Sequence, residues 1–289
     1  MALPNIIVIG AGQMGSGIAQ VAAVAGHPVT LIDPSDAQRA KARGGIADSL
    51  TRQAKKGTIT TVVSNLALGM IELVDTIENC GGKVPGCPLV IEAVFEDEKL
   101  KKDVWTKLDA VMPPETIFAS NTSSISITKM ASFTKRPDKF IGLHFFNPVP
   151  VLKLVEVIRG ARTSDATVKP CLEWVTAWGK TPIEVNDFPG FVSNRVLMPL
   201  INEAIFAVYE GVAKPDAVDN IFKLGMAHPM GPLALADLIG LDTCLNIMNV
   251  LLDGFADPKY RPCPLLKQMV AAGKLGRKSG EGFFKYEAK

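Results

Sequence analysis

Short apolar runs alternate with segments of helical periodicity through the first two thirds of the chain. The runs with the length and character of strands are Ile6–Ile9, Val29–Ile32, Leu89–Ile91, Ile117–Ala119, Ile141–Phe145, Leu154–Ile158 and Pro182–Val185. Amphipathic patterns between them predict helices over about 13–26, 35–55, 97–111, 124–132 and 165–179. Alternation of this kind is typical of βαβ units. We therefore predict an α/β fold built on a mostly parallel, doubly wound sheet.

A glycine-rich turn joins the first predicted strand to the first helix. Its residues, with the acid that ends the second strand, are Gly10, Gly12, Gln13, Met14, Gly15 and Asp33. The first glycine permits the turn, the second lets a pyrophosphate approach the backbone, and the third lets the helix pack on the strand. Turns and packing alone would also explain the glycines, but Asp33 lies near the ~20-residue spacing at which an acid binds a ribose. The motif therefore predicts a Rossmann-type domain, and an acid with no Arg directly after it favours NAD over NADP.

The pattern changes after Asp187, where strand-like runs cease. Apolar residues then recur at helical spacing from Val196 to Leu252, and Pro199 is expected to kink the first of these helices. We therefore predict an NAD-binding domain over 1–187 and a smaller all-α domain over 188–289. The apolar helix faces exceed what one small bundle buries, so we expect this second domain to form a homodimer as well as to close over substrate.

Composition narrows the classes of partner. The 289 residues carry a net charge of +2, which gives no reason to expect nucleic acid. The five cysteines are odd in number and show neither a CxxC pair nor a zinc spacing, so we expect free thiols in a reducing compartment and no metal. The segment 6–32 has no Lys, Arg, Asp or Glu, but glycines interrupt it and its pattern changes from strand to helix to strand, so we expect no membrane span. Because the chain begins directly on its first strand, we expect a cytoplasmic protein, the alternative being the mitochondrial matrix with a leader removed.

Three histidines are candidates for a general base. His27 lies in the turn before the second strand, where we expect a surface or turn residue, and His228 lies in a loop between helices, where we expect a structural role. His144 ends an apolar strand, a place where buried core histidines are common. Glu156 lies in the next strand pattern and is costly to bury unless it is paired. If the two strands are neighbours, Glu156 fixes the tautomer of His144 and stabilises its charged form, which makes His144 the candidate base.

Several longer motifs carry a family resemblance. They are ASNTSS at 119–124, GLHFFNPVP at 142–150, LVEVI at 154–158, PGFVSNR at 189–195, HPMGP at 228–232 and GRKSGEGFF at 276–284. With these motifs the chain resembles the short-chain-length L-3-hydroxyacyl-CoA dehydrogenases, including the 3-hydroxybutyryl-CoA dehydrogenases, over essentially its whole length. The resemblance implies a reversible, NAD-dependent oxidation of short to medium (3S)-3-hydroxyacyl-CoA to 3-oxoacyl-CoA, as in fatty acid β-oxidation.

The same resemblance implies a catalytic set. His144 is the general base, or the acid in the reverse direction, and Glu156 is its partner. Ser123 and Asn194 hydrogen-bond the reacting oxygen and the thioester end of an acyl-CoA substrate.

Cofactor and coenzyme A contacts are implied in the same way. Besides the glycine turn and Asp33, the cofactor contacts are Glu96, Lys101, Ser123, Asn147 and Lys278. Ser49 and Lys56 match positions that meet coenzyme A. The turn-rich loop Asn79–Pro88 is longer than the usual connection, and we expect it to be able to shift the register of Glu96 and Lys101.

Two other functions remain open. A free hydroxy-acid dehydrogenase of the L-gulonate type shares the His and Glu but does not need the handle at Ser49 and Lys56. A crystallin-like NAD-binding protein without catalysis has no need of all four catalytic candidates together.

Overall fold

The structure is a computed structural model of the chain and describes residues 3–79 and 84–287. The chain divides into two compact units, Met1–Asp187 and Phe188–Lys289. The first unit combines strands with helices, and the described part of the second is built from helices and short bridges. The predicted fold class, an α/β domain followed by an all-α domain, is confirmed.

The elements of the first unit alternate as the apolar pattern predicts. Its strands are β1 (Ile6–Ile9), β2 (Val29–Ile32), β3 (Ile71–Val74), β4 (Leu89–Glu92), β5 (Ile117–Ser120), β6 (Phe140–Phe145), β7 (Leu154–Arg159) and β8 (Thr181–Asn186). Its α-helices are α1 (Gln13–Val24), α2 (Asp36–Lys55), α3 (Thr61–Gly69), α4 (Glu98–Val111), α5 (Ile127–Ala131) and α6 (Asp165–Ala177).

The described strands form one sheet in the order β3-β2-β1-β4-β5-β6-β7-β8. Neighbouring strands are parallel except for β6 and β7, which are antiparallel. The chain moves outward from β1 to β3 and then returns to β4 on the other side of β1, so the order reverses between β1 and β4. Ligands of such sheets bind beyond the carboxyl ends of the strands at this reversal.

Capping side chains explain where most of these helices begin. Ser35, Thr60, Asp97 and Ser126 each accept a backbone N–H from the first turn of α2, α3, α4 and α5, respectively. Helix α1 differs, because its N-cap is Gly12 and no side chain in the described residues caps it. The first N–H groups of α1 therefore stay available to another acceptor.

Helix α3 and strand β3 are absent from the sequence prediction. Strand β3 lies at the edge of the sheet and is only partly buried, with Glu72 exposed, so its apolar run is too short to stand out. Helix α3 buries only Ser64 and Ala67 fully, which leaves its amphipathic pattern weak.

The buried core of the first unit lies on both faces of the sheet. One face packs apolar side chains of α1, α2, α3 and α6 onto the strands. On the other, the Trp105 ring of α4 lies 5.1 Å from the Phe118 ring and 4.7 Å from the Phe140 ring. His27 also lies in the interior, where Nδ1 is 3.0 Å from the Pro4 carbonyl oxygen and the ring meets Trp178 edge-on. The turn position is as predicted, but a surface position for His27 is wrong, because the neighbouring residues enclose the ring.

The second unit contains the helices α7 (Ser193–Tyr209), α8 (Pro215–Gly225), α9 (Pro232–Ile239), α10 (Leu241–Phe255) and α11 (Pro264–Ala271). Helix α7 runs through Pro199 without ending there. Two buried acids organise this unit: Asp219 accepts the N–H groups of the first turn of α9, and Asp237 accepts the N–H groups of Phe283 and Phe284. Both carboxylates therefore have a structural role, because each fixes a backbone segment through hydrogen bonds. His228 packs edge-on against the Phe222 ring, as a structural residue does.

No single helix within 3–79 and 84–287 is long and apolar enough to cross a membrane, although α9 and α10 together, bent by 97°, pass a test of length and composition. Cys171, Cys244 and Cys263 are buried free thiols, whereas Cys80 lies outside the described residues.

Gly15 tests the packing of α1 on the glycine turn. A Cβ at Gly15 would lie 1.8 Å from the Gly10 carbonyl oxygen. We expect Gly15→Ala to push the helix from the turn and to lower the free energy of unfolding by about 1–3 kcal/mol, the usual cost of overpacking. Gly44→Ala on α2 is the matched control, since its Cβ would meet nothing within 4 Å, and we expect it to stabilise by about 0.5–1 kcal/mol. Urea denaturation measures both, and equal effects of the two changes would contradict the packing argument.

Candidate active site

His144 and Glu156 face each other across the only antiparallel pair in the described sheet. The register places His144 of β6 directly opposite Glu156 of β7, and His144 Nδ1 lies 2.8 Å from Glu156 Oε2. Both residues are buried, at 6% and 3% exposure. A carboxylate can only accept hydrogen bonds, so Nδ1 carries the hydrogen, and in the neutral imidazole Nε2 is left with a lone pair. The arrangement is therefore an imidazole whose basic nitrogen is fixed by a buried acid.

Ser123 meets the other nitrogen of the same ring. It lies in the loop after β5, and its Oγ is 3.0 Å from His144 Nε2. With Nε2 as acceptor, the Ser123 hydroxyl donates to it. The Phe146 ring packs at 4.7 Å from the imidazole and limits its rotation. The structure thus brings together three of the four predicted catalytic residues in one line of hydrogen bonds.

Glu96 holds the loop that carries Ser123. One oxygen, Oε1, accepts the N–H groups of Ser123 and Ser124 at 3.0 Å each, the Ser124 hydroxyl at 2.8 Å and the Thr122 hydroxyl. The position of the Ser123 hydroxyl is thereby fixed from the backbone side.

Lys101 links Glu96 to the end of β4. Its ammonium lies 2.6 Å from Glu92 Oε1 and 3.2 Å from Glu96 Oε2, and its side chain is 1% exposed. Glu92 is fully buried and also accepts the Ser120 hydroxyl at 2.6 Å. Burial raises the pKa of the Glu96 carboxyl, but the Lys101 ammonium and the hydrogen bonds from Thr122 and Ser124 outweigh it and hold that pKa below its usual range. Glu96 is therefore a stable anion at neutral pH.

The register of β4 bears on the predicted cofactor contacts at Glu96 and Lys101. Residues 80–83 of the preceding loop lie outside the described residues. Beyond the loop, Glu92 pairs with Ile9 and Ser120 in regular parallel register. Glu96 and Lys101 then lie at the carboxyl edge of the sheet, where the cofactor contact was expected.

The glycine turn provides a cradle that suits a dinucleotide. Gly10 has a φ of +96° and its Cβ would lie 2.7 Å from the Ala93 carbonyl oxygen, so the turn requires glycine at the reversal between β1 and β4. A Cβ on Gly12 would meet no protein atom within 4 Å. No protein neighbour therefore requires glycine at this position. A pyrophosphate that approaches the uncapped start of α1, at Gln13 and Met14, would require it.

Asp33 closes the same cradle from β2. Its Oδ2 accepts the Ala11 N–H at 2.9 Å, and its Oδ1 accepts the Ser35 N–H at 3.0 Å. The residues present thus fit the adenosine half of NAD, for which Asp33 would be the group that accepts the ribose hydroxyls. Arg39 also reaches this point, because it donates to the Asp33 carbonyl oxygen and to Asp36. The sequence offered no hint of Arg39 beyond its place one turn into α2.

A cleft of about 510 Å³ opens beside the cradle. It lies between the glycine turn, one face of α2 and the segment Asn147–Pro150. Ser49, one of the two predicted coenzyme A contacts, lines it, whereas the other, Lys56, lies at the end of α2 and is not among its lining residues. Lys41 and Arg52 also line it, and neither belongs to any of the sequence motifs named above. Their signal was the helical spacing that puts 41, 45, 49 and 52 on one face of α2.

The remaining predicted residues fall in different places. Asn147 begins the cleft segment and forms a cis peptide bond with Pro148. Asn194 lies in the first turn of α7 and Lys278 near the end of the chain, both in the second unit. The Lys278 ammonium is 2.6 Å from Asp242 Oδ2. Asn121, which belongs to the ASNTSS motif but was given no role there, accepts the Phe145 N–H at 2.9 Å and fixes the strand end beside His144.

In the part of the chain that the structure describes, no group of three or more His, Cys, Asp or Glu side chains is arranged to hold a metal ion.

Comparison with known proteins gives the same family for both units. Residues 5–188 match the family model described as 3-hydroxyacyl-CoA dehydrogenase, NAD binding domain, and residues 190–286 match the model of the 3-hydroxyacyl-CoA dehydrogenase C-terminal domain.

Individual relatives match over the full length. The chain is 53% identical over 289 residues to a probable 3-hydroxybutyryl-CoA dehydrogenase of Bacillus subtilis, covering 100% of this chain and 99% of the relative. It is 43% identical over 290 residues to the mitochondrial hydroxyacyl-coenzyme A dehydrogenase of Homo sapiens, covering 98% and 91%. Among solved structures, it superimposes on the (S)-3-hydroxybutyryl-CoA dehydrogenase of Ralstonia eutropha with a TM-score of 0.94 at 48% identity, covering 99% and 100%.

The lowered pKa of Glu96 predicts a pH dependence of stability. A carboxyl whose pKa is lowered in the folded state stabilises the fold at every pH above its ordinary pKa. This contribution is lost as the pH falls through the lowered pKa. We expect Glu96→Gln to lower the free energy of unfolding at neutral pH, and the difference from wild type to vanish well below about pH 4.3, the ordinary Glu value. Urea denaturation across this pH range measures it. The exposed Glu173→Gln is the control, and a Glu96→Gln deficit that stays constant with pH would refute the charge argument.

Proposed function

The chain belongs to the 3-hydroxyacyl-CoA dehydrogenase family, and from this premise we propose that it is an oxidoreductase that interconverts (3S)-3-hydroxyacyl-CoA and 3-oxoacyl-CoA with NAD. The substrates are short to medium acyl chains such as the 3-hydroxybutyryl thioester. The observation that carries the proposal is the buried line Ser123–His144–Glu156. This line ends at the carboxyl edge of the same sheet whose β1 leads into the dinucleotide cradle.

His144 is the group that moves the proton. Its Nε2 carries the lone pair and lies 3.0 Å from Ser123 Oγ, and this nitrogen takes the proton of the substrate 3-hydroxyl. Glu156 accepts the Nδ1 hydrogen and stabilises the imidazolium that results. NAD held by the glycine turn and Asp33 would supply the hydride acceptor for the carbon that bears this hydroxyl. In the reverse direction His144 returns the proton to the 3-oxo oxygen, and Ser123 donates a hydrogen bond to that oxygen.

The cleft along α2 is the proposed site of the coenzyme A handle. It is within the ~300–1,000 Å³ typical of small-molecule sites, and Ser49 lines it together with the cations Lys41 and Arg52. Cationic side chains suit the phosphates of coenzyme A. Lys56, exposed one turn beyond Arg52, extends this positive face. Binding energy from the handle, remote from the reaction, would position the 3-hydroxyl at His144.

Assembly as a homodimer through the second unit is part of the proposal. Helices α7 and α8 and the link between them carry large apolar side chains that are at least half exposed: Val196, Tyr209, Val212, Ile221 and Leu224. An accumulation of exposed apolar side chains on neighbouring elements supports a protein–protein interface there. This unit also contributes two residues to the proposed site. Asn194, at the start of α7, would bind the thioester end of the substrate, and Lys278 would lie near the cofactor.

The substrate assay follows NADH absorbance after addition of acetoacetyl-CoA. We expect rapid loss of NADH with the thioester, slow or no loss with free acetoacetate, and little activity with NADPH. The thioester supplies the handle energy that the free acid lacks. Equal rates with free acetoacetate would favour a free hydroxy-acid dehydrogenase, and tight NADH binding without turnover of either substrate would favour a protein without catalysis.

His144→Ala tests the proton transfer. We expect kcat to fall by ~10²–10⁴, the usual contribution of a general acid or base, while NADH still binds, because the cradle lies on other strands. Steady-state kinetics and fluorescence titration with NADH give the two values. A variant with near-normal kcat would remove His144 from the mechanism.

A further inference from the structure

The connection between β6 and β7, residues 146–153, has two tasks. It joins the strand of His144 to the strand of Glu156, and its segment Asn147–Pro150 forms one wall of the cleft. Most of its own side chains cannot hold it in place, since Val151 is 68% exposed and Leu152 is 42% exposed. Its conformation must therefore be fixed by contacts from elsewhere.

Lys180 makes such a contact with the backbone of the wall. It directly precedes β8, and its side chain is buried, although no motif drew attention to it. The ammonium donates to the Leu152 carbonyl oxygen at 2.8 Å and to the Val149 carbonyl oxygen. Its partners in the described residues are these two main-chain oxygens, and burial lowers the pKa of its amine. A buried cation without a counter-charge is an expensive group, so an apolar residue would serve mere packing better.

Helix α1 holds the same wall through a second contact. A Cβ on Gly17 would lie 2.8 Å from the Val149 Cβ, so Val149 enters a notch that glycine leaves in the helix. The Val149 side chain is 2% exposed, and its carbonyl oxygen meets Lys180. The wall is thus clamped at one residue, by its side chain on α1 and by its backbone on Lys180.

We propose that Lys180 is a positioning residue that sets the affinity for the acyl-CoA substrate by fixing the backbone of the cleft wall at Val149 and Leu152. It touches neither the reacting atoms nor His144. The inference rests on the proposed function, because it takes the cleft as the site of the coenzyme A handle.

Lys180→Met removes both hydrogen bonds and keeps the aliphatic stem. We expect the KM for acetoacetyl-CoA to rise about tenfold, the effect of losing one good hydrogen bond, with a much smaller change in kcat. The exposed Lys153→Met, the same change on the same connection, is the matched control, and we expect its KM to equal that of wild type. Lys180→Arg, whose guanidinium can donate to both carbonyls, should restore most of the affinity.

Each outcome decides the inference. A merely structural role would lower the melting temperature of Lys180→Met and leave its KM unchanged below that temperature, which overturns the proposal, as does an equal rise in Lys153→Met. If Lys180→Met does not fold, Gly17→Ala displaces the Val149 side chain from α1 and must raise the KM in the same way. The wild-type protein in the same assay separates the proposed function from the positioning role. If the wild type does not turn over acetoacetyl-CoA, the proposed function fails. If the wild type is active and Lys180→Met has the same KM, only the positioning role fails.

Discussion

The buried hydrogen bond between His144 and Glu156 is the constraint on which the rest of this site depends. An acid in the middle of a buried strand is tolerated only when a partner compensates it, and here the partner is available only if β7 runs antiparallel to β6 with His144 opposite Glu156. That register requires the chain to turn back immediately after the catalytic strand. The connection that makes this turn also forms one wall of the cleft, so the strand pair of His144 and Glu156 and the proposed coenzyme A site share one short segment.

Buried charge in the first unit is concentrated at the carboxyl edge of the sheet. Glu92 and Lys101 pair at the end of β4, Glu156 pairs with His144, and Lys180 supports the cleft wall. Each of these groups is hydrogen-bonded to backbone or to another polar side chain, so the desolvation cost is offset and each geometry is fixed. A site assembled from such interactions resists distortion, which suits a reaction in which small displacements of the proton acceptor are costly.

The sequence was informative where a local pattern forces one structure. Apolar runs and the glycine turn predicted the parallel sheet and its dinucleotide cradle, and the lone acid in β7 predicted a partner on a neighbouring strand. The edge strand β3 escaped because partial burial leaves an ordinary mixed pattern. Lys101 and Lys180 escaped as buried cations because lysine is normally exposed, and their partners come from segments that only the fold brings together. For Lys41 and Arg52, the sequence showed only that they lie on one face of a predicted helix.

Substitutions on the exposed face of α2 and substitutions at the buried strand pair have different consequences. The cleft-facing cations of α2 are exposed and contribute little to the core, whereas His144, Glu156 and Lys180 are enclosed by packed neighbours. Substitutions on α2 therefore carry little penalty in stability, while substitutions at the strand pair endanger both folding and chemistry. On the proposed function, a duplicated copy of this gene changes the part of the substrate that it binds through substitutions on the surface of α2, while the pair of His144 and Glu156 stays the same.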